Sequence, residues 1–204
     1  MARRTELLSV DRLKALSDGV FAIVITLLVL NLIPQSARSP HQLLAAWPAY
    51  LAYLAAFLSI GSIWLNHNAA FSRIKQGNAA LLTLNLVLLL GSALIPWPTV
   101  LIADALQTGS HDDQVAAMIV FSIVSLLLSL PWSALDRYVR RRPELLEQET
   151  DASWFKRHAL MSDASLVLAI VTVGVSLLSP IASLIVYLVS ITSFLIVRLF
   201  ERLP

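Results

Sequence analysis

The chain contains 204 residues, of which 57% are hydrophobic, 14% are charged and none is cysteine. Because soluble globular domains carry about 25% charged residues, this composition excludes an ordinary soluble domain and indicates an integral membrane protein. The lack of cysteine excludes disulfide bonds and thiolate metal sites.

Six apolar segments are predicted along the chain, each near the roughly 20 residues that a membrane-spanning helix needs. They cover residues 13–33, 43–65, 79–98, 115–135, 159–178 and 181–200. Apolar residues run continuously instead of alternating, which disfavours a transmembrane β-barrel. Only Ser179 and Pro180 separate the last two segments, so these segments are predicted to form a tight helical hairpin. The sequence therefore predicts an all-α membrane protein with one domain over residues 1–204.

The basic residues predict the orientation of these segments. Six spans place 14 of the 15 Lys and Arg residues on one side of the membrane and only Arg38 on the other. The loop after the third segment, on the side of Arg38, holds Asp104, Asp112 and Asp113 and no basic residue. Because positive residues concentrate in cytoplasmic loops, both termini are predicted to be cytoplasmic.

The basic pI of 9.2 follows from this topology. The basic residues are scattered over short predicted cytoplasmic segments, so nucleic acid is not expected as a partner. The arginines at 140–142 are predicted to anchor the topology at the headgroups of membrane lipids.

The first segment has two distinct stripes at helical spacing. The first stripe consists of large apolar residues: Leu16, Val20, Ile23, Leu27 and Leu30. The second stripe consists of small residues, which suit close helix packing: Gly19, Ala22 and Thr26. From spacing alone, the large stripe fits lipid contact or the core of a bundle better than the wall of a pore.

Asp18 lies near the start of the first segment, where a carboxylate is costly in lipid unless it is paired. Arg12 is six residues earlier, which is too far round the helix for an i, i+4 pair. The partner of Asp18 is therefore expected on another helix, and Trp64 and His67 lie at the same predicted depth on the second segment. The alternative is that these two side chains are only interfacial anchors.

Signatures of enzymes are missing from the sequence. No HExxH, GxSxG or Walker motif is present. Asp18 and Asp163 are the only acids predicted inside the spans away from their ends, whereas a secondary transporter usually has broken helices or several intramembrane charges. The dispersed histidines also argue against a metal site: His41, His67, His111 and His158. The chain is predicted to be no enzyme and to need no cofactor.

The start of the first segment carries a specific motif. The sequence RLKALSDGVFAI from Arg12 to Ile23, followed by TLLVL from Thr26, resembles the first helix of the transmembrane protein 175 family of potassium channels. The family pattern is R-x-x-x-F-S-D-G-V-F-A-I, and the one departure is Leu16 where the family has Phe. Beyond this helix, the resemblance depends on the six spans, the chain length and the pair formed by Trp64 and His67.

This resemblance implies a potassium channel without a P-loop, located in the bacterial plasma membrane. It implies one six-helix repeat per chain and a homotetramer around a central pore, with K⁺ as the permeant ion. The first helix would line this pore, and the positions of the hydrophobic constriction would be Ile23, Leu27 and Leu30. Ile23 would form the narrowest ring, and Thr26 would add a hydroxyl near it. A hydrogen-bond network on the cytoplasmic side would consist of Arg12, Ser17, Asp18, Trp64 and His67.

Two other functions remain open at this point. Related channels in acidic organelles pass protons, and Asp18 and His67 are the residues that would relay them here. A membrane scaffold that conducts no ions is the third interpretation, and only the motif of the first helix argues against it. The potassium channel is the preferred prediction.

Overall fold

The structure is a computed structural model that describes residues 9–32, 39–147 and 152–200. Its α-helices in chain order are α1 (Val10–Leu27), α2 (Pro40–Ala45), α3 (Trp47–Phe71), α4 (Ala79–Leu94), α5 (Pro96–Thr108), α6 (His111–Arg140), α7 (Ala152–Leu178) and α8 (Pro180–Phe200). A 3₁₀ helix continues α1 over Leu28–Leu32, and another covers Pro143–Leu145. Arg38, the basic residue predicted on the opposite side of the membrane, lies outside the described residues.

Membrane-spanning segments follow the predicted order. Within the described ranges, five helical segments are long and apolar enough to cross a membrane by length and composition. They are Val10–Leu30, Trp47–Phe71, Ala79–Gln107, His111–Arg140 and Trp154–Leu178. The sixth predicted segment coincides with α8, in which Pro180–Ser193 is a shorter apolar helix.

The third span consists of two helices instead of one. α4 ends at Leu94, and α5 begins at Pro96, whose missing N–H is tolerated in the first turn of a helix. Because α5 continues to Thr108, Asp104 lies on a helix. The prediction that Asp104 belongs to a loop is wrong, since the prolines start a new helix where they were expected to end the span.

α6 is the central helix of the bundle and packs against α4, α5, α7 and α8. Its first turn is capped by Ser110 and Asp113, each side chain accepting a backbone N–H from the other residue. α6 continues beyond the predicted end at residue 135, so Asp136 lies within it and is fully buried. The predicted span end at residue 135 is therefore wrong, and Asp136 is a further acid within this helix, near its C-terminal end.

α1 packs against α3 and α4 on the other side of the bundle. The side chains that fill this core are large and nearly inaccessible: Phe21, Ile60, Phe71, Leu81, Leu88 and Leu135. Gly91 allows α4 to approach α6 closely, because a Cβ atom at this position would lie 3.1 Å from Leu128 Cα.

One end of the bundle, which we call the inner end, is where α1, α4 and α7 begin and α3 and α6 end. Two loops are joined there by an antiparallel bridge between Ile74 and Leu146. Lys75 N–H donates to the Leu145 carbonyl at 2.9 Å, and Glu147 N–H donates to the Arg73 carbonyl at 3.0 Å. The bridge residues are buried, so the α3–α4 and α6–α7 loops form one packed unit.

Candidate pore helix and polar network

α1 has one buried face and one exposed face. The buried face carries Leu13, Ser17, Phe21 and Val24, at the spacing of a helix that packs along one side. Ile23 is on the opposite face, where 59% of its surface is accessible in the single chain. A large apolar side chain so exposed in a membrane helix contacts lipid or another protein chain.

The residues predicted to form the constriction share this exposed face. Leu27 and Leu30 are as open as Ile23 within one chain. Leu30 belongs to the 3₁₀ helix, where residues three positions apart eclipse each other, so Leu27 and Leu30 lie nearly in line along the helix axis. Thr26 is also exposed and donates its hydroxyl to the Ile23 carbonyl at 2.8 Å.

The small-residue stripe of α1 also faces outward. Gly19, Ala22 and Thr26 are all exposed, and no described atom would lie within 4 Å of a Cβ atom on Gly19. Val20, in contrast, packs partly against the core of the chain, so it departs from the large stripe on which the sequence placed it. Both stripes, apart from Val20, are therefore available to structures outside one chain.

Asp18 and Trp64 are in direct contact. Trp64 Nε1 donates to Asp18 Oδ1 at 2.8 Å, which links α3 to α1. Arg12 is exposed at the start of α1, and no described hydrogen bond joins its side chain to this pair. Of the five residues of the predicted network, the structure thus joins Asp18 and Trp64 by one hydrogen bond, and Arg12 is not bonded to either of them.

A second set of contacts ties α1 to α3 and α4 through Asn85. The amide of Asn85 donates to Ser17 Oγ at 3.0 Å, while His67 Nε2 is 2.8 Å from Asn85 Oδ1. Because an amide oxygen only accepts, this orientation assigns the Nε2 proton to His67. Ser17, His67 and Asn85 are all buried, and the Ser17 hydroxyl also donates to the Leu13 carbonyl at 2.9 Å, so the amide of Asn85 has partners on both α1 and α3.

Aromatic rings hold His67 in place. Its ring stacks on Phe71 with centroids 4.1 Å apart, and the edge-on rings of Phe21 and Trp132 lie at 5.5 and 6.3 Å. His67 and Asp18, paired in the predicted proton relay, have different partners, since Asp18 bonds to Trp64 and His67 to Asn85.

Asn85 is the member of this polar network that the sequence prediction missed. It is fully buried in the middle of α4. A single amide inside an apolar span was the available signal, because a polar group in a membrane helix requires partners on neighbouring helices.

A separate polar cluster lies between α6 and α7. His158 Nδ1 is 2.8 Å from both Asp136 oxygens, and the Ser162 hydroxyl donates to Asp136 at 2.9 Å. Nearby, Arg137 contacts both oxygens of Asp163 at 3.0 Å. Asp163, which was predicted as an intramembrane acid, is thus paired with a cation. Among the described residues, no group of three His, Cys, Asp or Glu side chains could hold a metal ion.

Comparison with known proteins places these observations in a family. A family model described as "Endosomal/lysosomal potassium channel TMEM175" matches residues 12–96, which include most of α1 and the contacts of Asp18 and Asn85. A Streptomyces collinus protein named as a potassium channel is 40% identical over 145 residues, 69% of this chain and 69% of that protein. The human "Endosomal/lysosomal proton channel TMEM175" is 34% identical over 92 residues, 39% of this chain and 18% of the human protein.

The fold also matches a solved structure. The crystal structure of a lysosomal potassium-selective channel TMEM175 homolog from Chamaesiphon minutus superposes with a TM-score of 0.78 and 28% sequence identity. The match covers 92% of this chain and 96% of that one. The sequence motif, the extent of the Streptomyces match and the shared helical fold lead to one conclusion: the chain is a multi-pass membrane protein that belongs to the TMEM175 family.

Proposed function

We propose that this chain forms a potassium-selective channel in the bacterial plasma membrane, with a pore lined by α1 from four copies of the chain. The observation that carries this proposal is the outward apolar face of α1, where half or more of the surface of Ile23, Leu27 and Leu30 is left exposed by the described residues of one chain. The Streptomyces relative named as a potassium channel supports the choice of ion.

The two exposed stripes of α1 suit a ring of identical helices. In a closed symmetric assembly, every copy offers the same surfaces to its neighbours and to the axis. The small side chains at Gly19 and Ala22 allow neighbouring α1 helices to approach closely. The adjacent stripe then directs Ile23, Leu27 and Leu30 toward the axis. A homotetramer of this kind consists of one six-helix domain per chain, with both termini cytoplasmic.

An apolar constriction gates and selects without fixed ligands. A narrow ring of Ile23 and Leu27 side chains becomes dry when it closes, which stops conduction. Potassium holds its hydration shell less tightly than sodium, so it deforms that shell at a lower cost when it enters the ring. Thr26 commits its hydroxyl hydrogen to the Ile23 carbonyl, so its oxygen lone pairs are left for the cation or its water.

The residues that form the polar contacts at the inner end position the proposed pore helix α1. The Trp64–Asp18 bond and the contacts of Asn85 with Ser17 and His67 tie α1 to α3 and α4. Opening of the pore by a tilt or rotation of α1 therefore has its fixed point at these contacts. A proton relay is the second candidate, supported by the human relative, but its proposed residues Asp18 and His67 bond to different partners.

Ion flux from proteoliposomes of the purified protein tests the channel directly. Potassium, sodium and proton gradients are applied separately, and we expect potassium flux to exceed sodium flux. The Ile23→Asn and Leu27→Ala variants are expected to weaken potassium-over-sodium selectivity or to alter conductance, with the oligomer intact by mass.

Matched controls come from exposed apolar residues elsewhere in the chain. Ile170 on α7 is 58% exposed and Leu130 on α6 is 54% exposed, so Ile170→Asn and Leu130→Ala make the same chemical changes away from α1. Unchanged selectivity and current in both α1 variants would reject the pore assignment. Proton flux without potassium or sodium flux, lost in the Asp18→Ala and His67→Ala variants, would favour the proton relay. An oligomer that conducts none of the three ions would favour a scaffold.

A further inference from the structure

A partly open cavity of about 450 Å³, with both apolar and hydroxyl-bearing side chains in its wall, lies between α3, α6, α7 and α8. No residue of α1 lines it, so it is separate from the exposed face that we assign to the pore. Hydroxyl groups from all four helices contribute to its wall, among them Ser62, Ser125, Ser129, Ser165, Thr172 and Ser190. A cavity of this size is within the range that holds a small organic ligand.

The hydroxyl hydrogens of this wall are already committed. Ser62 donates to the Leu58 carbonyl at 2.8 Å, and Ser129 donates to the Ser125 carbonyl at 2.8 Å. The same bond to the backbone of the preceding turn is made, at 2.7 to 3.0 Å, by Ser125, Ser165, Thr172 and Ser190. A hydroxyl has one hydrogen and two lone pairs, so these groups are left to act as acceptors in the cavity.

Asn66 adds an acceptor that has no partner. This side chain is buried on α3 and lines the cavity, yet Asn66 Oδ1 has no hydrogen-bond partner in the described structure. A buried amide oxygen left unpaired is destabilising, so a donor placed beside Asn66 Oδ1 would stabilise the chain. The described hydrogen bonds of the wall leave three side-chain nitrogens without a partner: the Asn66 amide, the Trp132 indole and His158 Nε2.

One carboxylate borders the cavity, and it is paired with a residue of the wall. The Asp136 carboxylate lies directly behind the wall, bonded to the lining residues His158 and Ser162. No Lys or Arg is among the lining residues that the structure describes. Apolar side chains complete the wall, including Ile63, Leu128 and Leu168.

We propose that this cavity is a binding site for a small primary ammonium ion with a short apolar chain. Its N–H groups donate to Asn66 Oδ1 and to the serine oxygens, and its chain packs against the apolar part of the wall. Charged donors make the strongest hydrogen bonds to such acceptors. The site does not depend on the proposed channel function, because its residues belong to α3, α6, α7 and α8 alone.

Equilibrium dialysis of n-butylammonium against the full chain in nanodiscs tests this site, with empty nanodiscs measuring partition into lipid. We expect saturable binding of one ion per chain. n-Butyltrimethylammonium carries the charge without N–H donors, and butanol carries the chain without the charge. Both are expected to bind at least roughly tenfold more weakly, because a hydrogen bond from a charged donor is lost in each.

Two variants locate the binding inside the cavity. Asn66→Leu removes the unpaired acceptor, and Ser129→Leu fills the cavity with a larger side chain. Each is expected to weaken butylammonium binding by roughly tenfold or more. Ser193→Leu, on the exposed face of α8, is the control that leaves binding unchanged. Thermal unfolding and oligomer mass verify that the variants are folded.

Three results would overturn the proposal. The first is an absence of saturable binding above empty nanodiscs, which would mean that water alone fills the cavity. The second is equal binding of butylammonium and its trimethyl analogue. The third is undiminished binding in folded Asn66→Leu and Ser129→Leu proteins, which would place the ion elsewhere.

Discussion

Trp64 donates its indole N–H to Asp18 at 2.8 Å, and both residues lie at the accessible edge of the chain next to the exposed face of α1. A carboxylate that accepts from an indole is stabilised by the donor without being neutralised by a cation. The bond therefore fixes the inner part of α1 against α3 while the outward stripes of α1 remain free.

Removal of this acceptor is expected to weaken the assembly. In Asp18→Ala the indole N–H loses its partner, and α1 loses one of its attachments to α3, so we expect the proposed tetramer to be less stable by about 1 kcal/mol per chain. The fraction of tetramer is measured by mass after a temperature series. Asp18→Asn retains a side-chain oxygen that can accept this bond, so the stability of its tetramer is expected to be close to that of the original protein. An Asp18→Ala tetramer with full stability and normal conduction would contradict a positioning role.

The amide of Asn85 is expected to matter more for folding. Asn85→Leu leaves His67 Nε2 buried beside an apolar side chain without its partner, and an unpaired polar group of this kind costs about 1–3 kcal/mol. Ser17 loses the Asn85 amide as a donor but keeps its own hydrogen bond to the Leu13 carbonyl at 2.9 Å. We expect a clear fall in the thermal unfolding temperature, measured in the same detergent for all variants. Thr83→Ala is the control on the same helix, because Thr83 is exposed and donates only to the Ala79 carbonyl. Equal unfolding temperatures for the Asn85 and Thr83 variants would show that the buried contacts add no stability.

Gly91 and Gly174 give a matched pair of helical glycines. At Gly91 an added methyl group would lie 3.1 Å from Leu128 Cα and 3.3 Å from Leu128 N, and the backbone of α6 cannot yield as a side chain does. Gly91→Ala is therefore expected to destabilise the protein by about 1–3 kcal/mol. At Gly174 no described atom lies within 4 Å, so Gly174→Ala is expected to be neutral or stabilising by about 0.5–1 kcal/mol. Thermal unfolding of both variants measures the difference, and a Gly91→Ala protein as stable as Gly174→Ala would contradict the close packing of α4 on α6.

Hydropathy was enough to predict the five helical segments that are long and apolar enough to cross a membrane. The continuous apolar runs predicted the order of the spanning helices, because length and apolar composition largely decide whether a segment crosses a bilayer. The same criteria failed at Asp104, where hydropathy falls but the chain stays helical after Pro96. They failed again at Asp136, because a charged residue after position 135 suggested that the helix ends there. In the structure α6 continues past Asp136, whose carboxylate is bonded to His158 and Ser162.

The polar contacts were only partly accessible to sequence reasoning. The cost of an acid in lipid indicated that Asp18 needs a partner on another helix, and helical depth limited the choice to Trp64 or His67. The choice between them depends on the rotation of α3 about its axis, which no local pattern determines in a helix that is apolar on all sides. The contact of His67 with Asn85 could not be predicted for the same reason.

The bridge between Ile74 and Leu146 gives the molecule a fixed base. Its backbone hydrogen bonds join the α3–α4 and α6–α7 loops, so these four helices cannot spread at the inner end without exposing buried leucines. The bundle is therefore held at its inner end, and the displacement of a residue in a tilting helix grows with its distance from that end. α1 is attached to α3 and α4 of this base through Asp18 and Ser17. Leu27 and Leu30 lie at the far end of α1, where a small angular change of the helix produces the largest displacement of its side chains.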